Sequence, residues 1–384
     1  MAVYRIFPDN DTFIYTEDVQ GNAGRDEVLE LGGYPIAGVG QTSRMLFKYN
    51  TAQIQDTINT KIGNNSFDAN LHVYLASGYE LPESLTINSY PIYDTWVNGV
   101  GKFGDIPTDK SGASWIYRTA QTVVDGAPAG DRWLLEYNLH NSTSSAMPVG
   151  VTGSYNSTYE GGGNWLTGSN GIDLESTQNF QLNDNLDLNI PITNAVLLHY
   201  SESISNNGYI VKLADNLEFN TTSSIRLKYY SSDTNTIYPP YLEFAWDDSA
   251  YETGSLTLLS DSESVIQLAN NKGEYIDEGK QRFRLKARPK YPTRTFTTSS
   301  AYSTNYALPT SSYWGIRDEF TEEMIVPFNT GSTKISCDSI GPYFDIYMDG
   351  LQPERYYRVL VKTEIDGSTV VIDNKDTFKV VRNG

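Results

Sequence analysis

The chain has 384 residues, 39% of them hydrophobic and 12% aromatic, which is enough for two or three domains with sizeable cores. Its 47 acidic and 28 basic side chains give a formal net charge of -19, which repels phosphate backbones and anionic lipid headgroups. We therefore expect no nucleic-acid partner and no membrane insertion, and no run approaches the roughly 20 apolar residues that span a bilayer. The same charge also suits a protein that must stay soluble at high local concentration.

The single cysteine, Cys337, excludes an intrachain disulfide. The first residues, MAVYRIFPDNDTF, contain neither a basic segment nor a continuous apolar core, so we expect no signal peptide. Both features favour a protein that is made and folded in a reducing cytosol.

Short segments that alternate apolar and polar residues, separated by Gly, Asn, Asp and Pro, predict an all-β protein. The strands predicted before residue 220 are 12–16, 26–31, 43–49, 68–76, 83–91, 114–118, 132–138, 185–190, 195–200 and 209–213. One or two helical turns are predicted over 51–61. Residues 96–115 and 141–172 lack periodicity, and long loops of this kind commonly carry binding surfaces.

The stretch from Ser224 to Asp248 contains the clearest strand pattern in the chain. Apolar side chains occupy every second position over 225–230 and again over 242–246, after a polar turn that ends in Pro239-Pro240. We expect these two strands to form the last strand pair of a large β-sandwich that closes against the amino terminus.

A second, smaller β-domain is predicted from about residue 250. Its strands are 255–259, 264–268, 281–287, 344–348, 356–363, 369–372 and 377–381. The segment 288–314 is crowded with Tyr, Thr, Ser and Pro and is poorly periodic, so we expect it to lie over a surface rather than in a core. The predicted domains are therefore 1–248 and 249–384.

Several segments of the first domain occur in a recognisable order and spacing. They are TFIYT (12–16), DEVLELG (26–32), RMLFKY (44–49), ANLHVY (69–74), SW (114–115), NGYIVK (207–212), KYYSS (228–232) and PYLE (240–243). In the order and spacing of these segments, the domain resembles the DNRLRE-type β-sandwich, a jelly-roll relative of carbohydrate-binding modules. In the second domain, Leu351-Gln352-Pro353 before Tyr356 resembles a strand corner of fibronectin type III and immunoglobulin-like modules. These resemblances imply an N-terminal jelly-roll followed by a smaller immunoglobulin-like sandwich.

The C-terminal domain carries the sequence ARPKYPTRTFTTSSAYSTNYALPTSSYWGIRDEFTEEMI over 287–325. Together with the first sandwich, this sequence resembles virion structural proteins of marine tailed phages, including those that infect cyanobacteria. The resemblance implies a non-enzymatic component of the virion neck or collar, tail, baseplate or capsid surface, made in the host cytoplasm. Its partners would be copies of itself and other virion proteins, with no cofactor.

Aromatic side chains among Pro, Ser and Thr are enriched in protein contact surfaces. The candidates for such a surface here are Tyr291, Tyr302, Tyr306, Tyr313 and Trp314. Two interpretations of this group stay open, an assembly interface between subunits and packing between the two domains.

Four tryptophans, Trp96, Trp115, Trp133 and Trp165, lie in or beside the long loops. They offer an alternative function, a glycan-binding adhesin or fibre component, in which Trp96, Trp115 and Trp165 stack on host surface glycan beside the loop 141–172. Packing under the loops is the simpler interpretation, because burying a large ring contributes more than burying most side chains.

The glycine pattern Gly99–Gly104 matches the GxGxxG motif of dinucleotide-binding folds. That motif needs a helix whose amide groups face the pyrophosphate, and Asp105-Ile106-Pro107 predicts none. We therefore interpret the glycines as part of a loop.

The three histidines, His72, His140 and His199, are far apart in sequence and lack the short-range pairing of zinc ligands. No Gly-x-Ser-x-Gly elbow is present, which argues against a serine hydrolase. A glycosidase carboxylate pair cannot be judged by counting acidic residues, so a glycan-degrading enzyme stays the weakest alternative. We predict no catalytic, cofactor or metal site.

Overall fold

The structure, a computed structural model, describes residues 2–79, 82–124, 127–133, 150–153, 161–181, 183–261, 263–293 and 300–383. Over these ranges the chain folds mostly into antiparallel sheets, which confirms the prediction of an all-β sandwich protein. Most of the predicted strand 132–138 and half of the predicted loop 141–172 lie outside the described residues, and so does His140. No helix in the described ranges has the length and apolar character needed to cross a membrane.

The first strands lie between residues 2 and 181. They are β1 (Ala2–Ile6), β2 (Asn10–Tyr15), β3 (Val28–Ile36), β4 (Val39–Lys48), β5 (Phe67–Val73), β6 (Leu75–Tyr79), β7 (Ser84–Pro91), β8 (Thr122–Val124), β9 (Ala127–Ala129), β10 (Val151–Thr152), β11 (Trp165–Leu166), β12 (Gly168–Ser169), β13 (Ile172–Asp173) and β14 (Ser176–Gln181). Helix α1 (Thr51–Asp56) begins after Asn50, whose side-chain oxygen accepts backbone hydrogen bonds from Ala52 and Gln53. A π-helical turn (Thr57–Ile62) continues it, which confirms the helical turns predicted there.

The remaining strands lie after residue 187. They are β15 (Leu188–Pro191), β16 (Tyr209–Leu213), β17 (Ile225–Tyr230), β18 (Tyr241–Trp246), β19 (Ser264–Leu268), β20 (Glu274–Ile276), β21 (Lys280–Pro289), β22 (Ser312–Asp318), β23 (Met324–Val326), β24 (Ser336–Asp338), β25 (Gly341–Tyr347), β26 (Arg355–Ile365), β27 (Ser368–Ile372) and β28 (Thr377–Val381). Helix α2 (Thr193–Tyr200) follows β15, and 3-10 turns occupy Ala301–Ser303 and Met348–Gly350.

The chain divides into two compact units, each assembled from separate segments. The larger unit comprises Ile6–Ile58 and Ala69–Glu243. The smaller unit comprises Met1–Arg5, Asn59–Asp68 and Phe244–Gly384. Each of the two predicted domains, in contrast, was one continuous stretch of sequence.

The larger unit is built on one eight-stranded antiparallel sheet. Its strands follow the order β14, β7, β16, β4, β3, β17 and β6, with β3 paired to the first half of β4 and β2 to the second half. Within this unit, a second sheet pairs β15 with β5 through residues such as Ile190 and Leu71. In β17, the buried Ile225, Leu227 and Tyr229 alternate with more exposed neighbours, as the sequence pattern predicts.

Both faces of this large sheet are covered. On β4, Arg44 and Leu46 face one side, Met45 and Phe47 face the other, and all four are buried. On the face that carries Leu46, this side chain packs with Ile14 and Ile210, and a cluster of aromatic rings from the long loops covers them. Because both faces are covered, the residues of β4 are buried along nearly its whole length and show no alternation of exposed and buried positions.

The predicted pairing of 225–230 with 242–246 is wrong. Strand β17 lies between β3 and β6, and β18 belongs to a different sheet. The connection 231–240 is longer than a two-residue hairpin loop and contains two prolines, which lack the amide hydrogen that ladder pairing needs. Strand periodicity located both elements, but it carried no information on their partners.

Three other strand predictions are also wrong. Residues 195–200 belong to α2, because a short apolar run fits a buried helix as well as a buried strand. Residues 114–118 and 255–259 form only isolated bridges, through Tyr117 and Leu258. The segment 288–314 was expected to lie over a surface, but its end enters β22, where Trp314 is buried.

The smaller unit is a two-sheet sandwich. One sheet has the order β19, β21, β25, β24, and the other has the order β20, β28, β26, β22, β23, with β27 also paired to β26. A stack of aromatic rings crosses the core: Phe283 lies 5.6 Å from Phe344, and Trp314 of the opposite sheet lies 5.3 Å from Phe344. Stacked rings of this size bury a large apolar area and hold the two sheets together.

A buried ion cluster lies inside the larger unit. The Arg44 guanidinium donates hydrogen bonds to both carboxylate oxygens of Glu218, at 2.7 and 2.9 Å. The Lys212 ammonium lies 3.2 Å from the same carboxylate, and the side chains of all three residues are at most 2% exposed. Removing one partner of such a buried bidentate pair leaves the other charge uncompensated in the interior, which is strongly destabilising.

The same guanidinium holds the long loops against the sheet. It lies between two indole rings, 4.8 Å from the centre of Trp115 and 5.2 Å from that of Trp165. It also donates to the carbonyl of Gly162. Gly162 has a φ of 88° and a Cβ atom there would lie 2.6 Å from the Trp115 ring, so only glycine fits this position.

We predict that Arg44→Ala lowers the free energy of unfolding of the larger unit by about 3–5 kcal/mol, because the Glu218 carboxylate stays buried without its bidentate partner. Urea denaturation followed by tryptophan fluorescence measures the effect. Arg25→Ala is the control, since Arg25 pairs with Asp233 but its side chain is 59% exposed, and we expect it to change stability by less than about 1 kcal/mol. Equal effects of the two substitutions would contradict the role given to Arg44.

Candidate functional site

The structure places the four tryptophans of the proposed glycan platform in the core. Trp96, Trp115, Trp133 and Trp165 are each at most 4% exposed and pack in one cluster. Their indole nitrogens face inward as well: Trp96 donates to the Asn207 carbonyl at 2.8 Å. The rings therefore anchor the loops, and none of them presents a face to solvent on which a sugar could stack.

The structure separates the five residues of the predicted aromatic surface into three groups. Trp314 is buried, whereas Tyr306 and Tyr313 are half-buried, and Tyr306 packs against the core of the smaller unit. Tyr291 and Tyr302 are 71% and 57% exposed. Only these last two are available to a partner along most of their rings.

Both Tyr291 and Tyr302 have a basic side chain beside the ring. The Arg288 guanidinium lies 5.1 Å from the centre of the Tyr302 ring, and the Lys290 ammonium lies 5.2 Å from that of Tyr291. A cation over an aromatic face is attracted by the ring quadrupole. The exposed pair is therefore a locally basic surface on a chain with strong negative charge.

The two described histidines lie in different surroundings. His72 stacks on Tyr241 with ring centres 4.8 Å apart, and its Nε2 lies 3.7 Å from Glu243. His199 on α2 is buried with its ring edge against Tyr209, and burial lowers its pKa to about 4.

The single cysteine is also buried, and burial raises the pKa of the Cys337 thiol to about 11. Within the described ranges, no three His, Cys, Asp or Glu side chains are grouped so that they could hold a metal ion.

Sequence reasoning missed a hollow of about 140 Å³ at the edge of the larger unit. Two loop segments, 15–22 and 102–109, form its walls. The second includes the end of the Gly99–Gly104 pattern, which is a loop in the structure, with no helix following it. We call this feature the acidic hollow, because Glu17, Asp18, Asp105 and Asp109 all line it.

Asn22 holds the two walls together. Its amide nitrogen donates to the carbonyls of Asn98 and Ala113, at 2.7 and 2.9 Å. Its amide oxygen accepts from the backbone of Gly24 at 3.2 Å and of Gly101 at 2.9 Å. Asn22 is only 1% exposed, so one side chain satisfies four otherwise unpaired backbone groups inside the protein.

Aromatic rings form the floor of the hollow. Phe103 lies 4.9 Å from Tyr15 and 5.9 Å from Phe13, measured between ring centres. Tyr15 is buried, whereas Phe103 is 42% exposed. Burial, followed by the negative charges of Asp18 and Asp26, raises the pKa of the Tyr15 hydroxyl far above its usual range, so this group stays protonated.

Several charges of the acidic hollow are not neutralised by a neighbour. Glu17 is paired with Arg226 at 2.6 Å, and Lys102 is paired with Glu27 outside the hollow at 2.6 Å. In the described part of the chain, Asp18, Asp105 and Asp109 have hydrogen bonds to backbone and hydroxyl groups but no ion pair. The hollow is therefore a region of negative potential above aromatic rings.

These residues could not be grouped from the sequence. Asp18 and Asp105 are far apart in the chain, and contacts between distant segments, the hydrogen bonds of Asn22 among them, bring the two loops together. The available signals were the Gly-rich pattern at Gly99–Gly104 and the local concentration of acidic residues around it. Neither feature indicates which segment lies opposite the loop.

Comparisons with known proteins give no family for the chain. No family model matches the sequence, and no curated protein matches it. Among solved structures, it is similar to a DUF4785 family protein from Legionella pneumophila, with 10% identity over 99% of this chain and 68% of that chain and a TM-score of 0.16. A similarity this low supports no conclusion about fold or function.

We predict that Asn22→Ala lowers the free energy of unfolding by at least about 2 kcal/mol, because it leaves buried donors and acceptors unpaired. Asn185→Ala is the matched control: among the described residues this exposed asparagine bonds only to Asp187, and we expect a change within about 0.5 kcal/mol. Urea denaturation measures both values. A loss for Asn22→Ala no greater than that of the control would show that the walls do not depend on this side chain.

The lowered pKa of His199 predicts a pH dependence of stability. The unfolded chain binds a proton at this residue near pH 6.5 and the folded chain only near pH 4, so the stabilisation is complete above pH 6.5 and is lost as pH falls to about 4. The shift corresponds to about 3 kcal/mol. We expect His199→Gln to remove this part of the pH dependence when urea unfolding is measured from pH 7 to pH 4. Parallel curves for the two proteins would contradict the prediction.

Proposed function

We propose that the chain is a non-enzymatic structural subunit of a tailed-phage virion that assembles through protein–protein contacts. The observation that carries the proposal is the exposed aromatic pair Tyr291 and Tyr302, each beside a basic side chain. The resemblance of 287–325 to virion proteins of marine tailed phages supports the same role. Position within the particle, whether neck, tail, baseplate or capsid surface, is not part of the proposal.

Exposed tyrosines are suited to this role for physical reasons. A tyrosine ring buries a large area on contact, loses little conformational freedom and keeps a hydroxyl for hydrogen bonding. Residues that dominate binding energy in interfaces are most often Trp, Tyr and Arg. Arg288 and Tyr302 supply two of these types side by side, at the end of β21 and on the turn that follows it.

The rigid sandwich of the smaller unit supports this surface. Arg288 lies on β21, whose other side chains Phe283 and Leu285 are in the core. Arg288 is therefore held by a packed strand, and a residue that is already ordered loses less entropy on binding. Repeated copies of such a subunit can form symmetric assemblies.

A glycan-binding adhesin is the second candidate. The residues first considered for it are buried, but Phe103 offers an exposed aromatic face next to the carboxylates of Asp105 and Asp18. Aromatic faces stack on sugar rings, and carboxylates accept hydrogen bonds from sugar hydroxyls. This candidate places the glycan at the acidic hollow instead of the tryptophan cluster.

We predict that the double substitution Tyr291→Ser, Tyr302→Ser abolishes self-association measured by sedimentation velocity over a range of concentrations. Truncating a tyrosine that is a hot spot of an interface costs about 2 kcal/mol, which is roughly a 30-fold weaker contact for each such residue. The fold should be unaffected, with a stability change within about 0.5 kcal/mol, because both side chains are at the surface.

Tyr79→Ser is the matched control for this experiment. Tyr79 is also a highly exposed tyrosine, but it lies on β6 of the larger unit, so its removal should leave association unchanged. Equal association of the wild type and the double variant would rule out this surface. A wild-type chain that stays monomeric at every concentration and turns over a polysaccharide would overturn the proposed function.

A further inference from the structure

We infer that the acidic hollow binds the cationic head of a lysine or arginine side chain from a partner protein. The inference rests on the proposed function, since it names the kind of partner that such a subunit meets during assembly. It concerns a surface distinct from the exposed tyrosines, and it assigns a role to residues that the sequence did not single out.

The charges of the hollow favour a cation. Asp18, Asp105 and Asp109 line it and have no ion pair among the described residues. The hydrogen bonds that these carboxylates accept come from neutral groups; for example, the backbone amide of Lys102 donates to Asp105 at 2.7 Å. Each carboxylate thus has acceptor positions left over, to which a guanidinium or ammonium group can donate.

An unpaired hydroxyl is the second, independent observation. The residue Tyr15 is only 3% exposed, and its hydroxyl forms no hydrogen bond in the described part of the chain. The hydroxyl lies against Gly21 and near the Asp18 carboxyl, where Gly21, Asp18 and Tyr15 line the hollow together. The hydroxyl is thus open to the hollow, and an N–H group that enters the hollow can donate a hydrogen bond to it.

The floor and rim of the hollow favour an organic cation on a protein. The Phe103 ring is a face over which a guanidinium or ammonium group can lie. On the same loop, Ile106 is 97% exposed and Val100 is 61% exposed. Exposed apolar side chains next to a charged hollow match a partner segment in which Lys or Arg has apolar neighbours.

The size of the hollow also suits the head of one side chain. Its volume of about 140 Å³ is several times the roughly 30 Å³ that one water molecule occupies in the liquid. It is small compared with the roughly 300–1,000 Å³ of pockets that enclose drug-sized molecules. The hollow therefore fits a single guanidinium or ammonium group with part of its alkyl chain.

The experiment uses the full chain and two matched peptides. Acetyl-Leu-Arg-Leu-amide is titrated by isothermal calorimetry against the same peptide with citrulline in place of arginine, which keeps the shape and removes the charge. We expect the arginine peptide to bind at least about tenfold more tightly, because hydrogen bonds between charged groups are the stronger ones. Its affinity should fall as salt is raised.

Substitutions tie the binding to the hollow. Asp105→Asn keeps the acceptor for the Lys102 amide and removes the charge, and we expect about tenfold weaker binding of the arginine peptide. Asp184→Asn is the matched control, because Asp184 accepts from the backbone of Gln181 at the same 2.7 Å but lies elsewhere. Tyr15→Phe should weaken binding several-fold without lowering stability.

Each outcome decides the inference. Equal affinity for the two peptides, or no effect of Asp105→Asn, overturns it. Competition by calcium chloride at micromolar concentration would make the hollow a metal site, and competition by a neutral methyl glycoside would make it a glycan site. Either result also overturns the inference. Failure here leaves the association that depends on Tyr291 and Tyr302 intact, so the two proposals can be rejected separately.

Discussion

The buried pair of Arg44 and Glu218 is the interaction on which the larger unit depends. Arg44 lies in the middle of the large sheet, and its guanidinium contacts the indoles of Trp115 and Trp165. Moving a guanidinium from water into the interior costs several kcal/mol unless a carboxylate compensates for it. Glu218 provides that compensation in bidentate geometry, so the charge fixes the position of the long loops as well as the sheet.

This constraint explains why the tryptophans are inside. A strand face with Arg44 and Leu46 on it would be exposed in a simple two-layer sandwich, and the irregular segments between β7 and β11 cover it instead. Loops without secondary structure of their own need large side chains to stay in place, and indole rings supply the area. Once the loops are anchored, their outer parts are available to form surfaces such as the acidic hollow.

The sequence predicted the parts of the fold that depend on local patterns. Alternation located β17 and most strands of the smaller unit, because burial of one face repeats at every second residue. It also located β18 but not its partners, which are set by contacts far away in the chain, and it failed for α2, where a short apolar run fits two structures. The acidic hollow depends on Asn22, and a single asparagine gives no periodic signal at all.

The net charge limits how copies of this chain can associate. Two copies with a charge of -19 repel each other, although salt screens that repulsion beyond about 8 Å at physiological ionic strength. Contacts are therefore favoured where a local surface differs from the average, as at Tyr291 with Lys290, or where a partner brings positive charge to Asp105 and Asp109. One of these surfaces is basic and the other is acidic. A contact between two unlike surfaces forms rings or filaments instead of two-fold dimers.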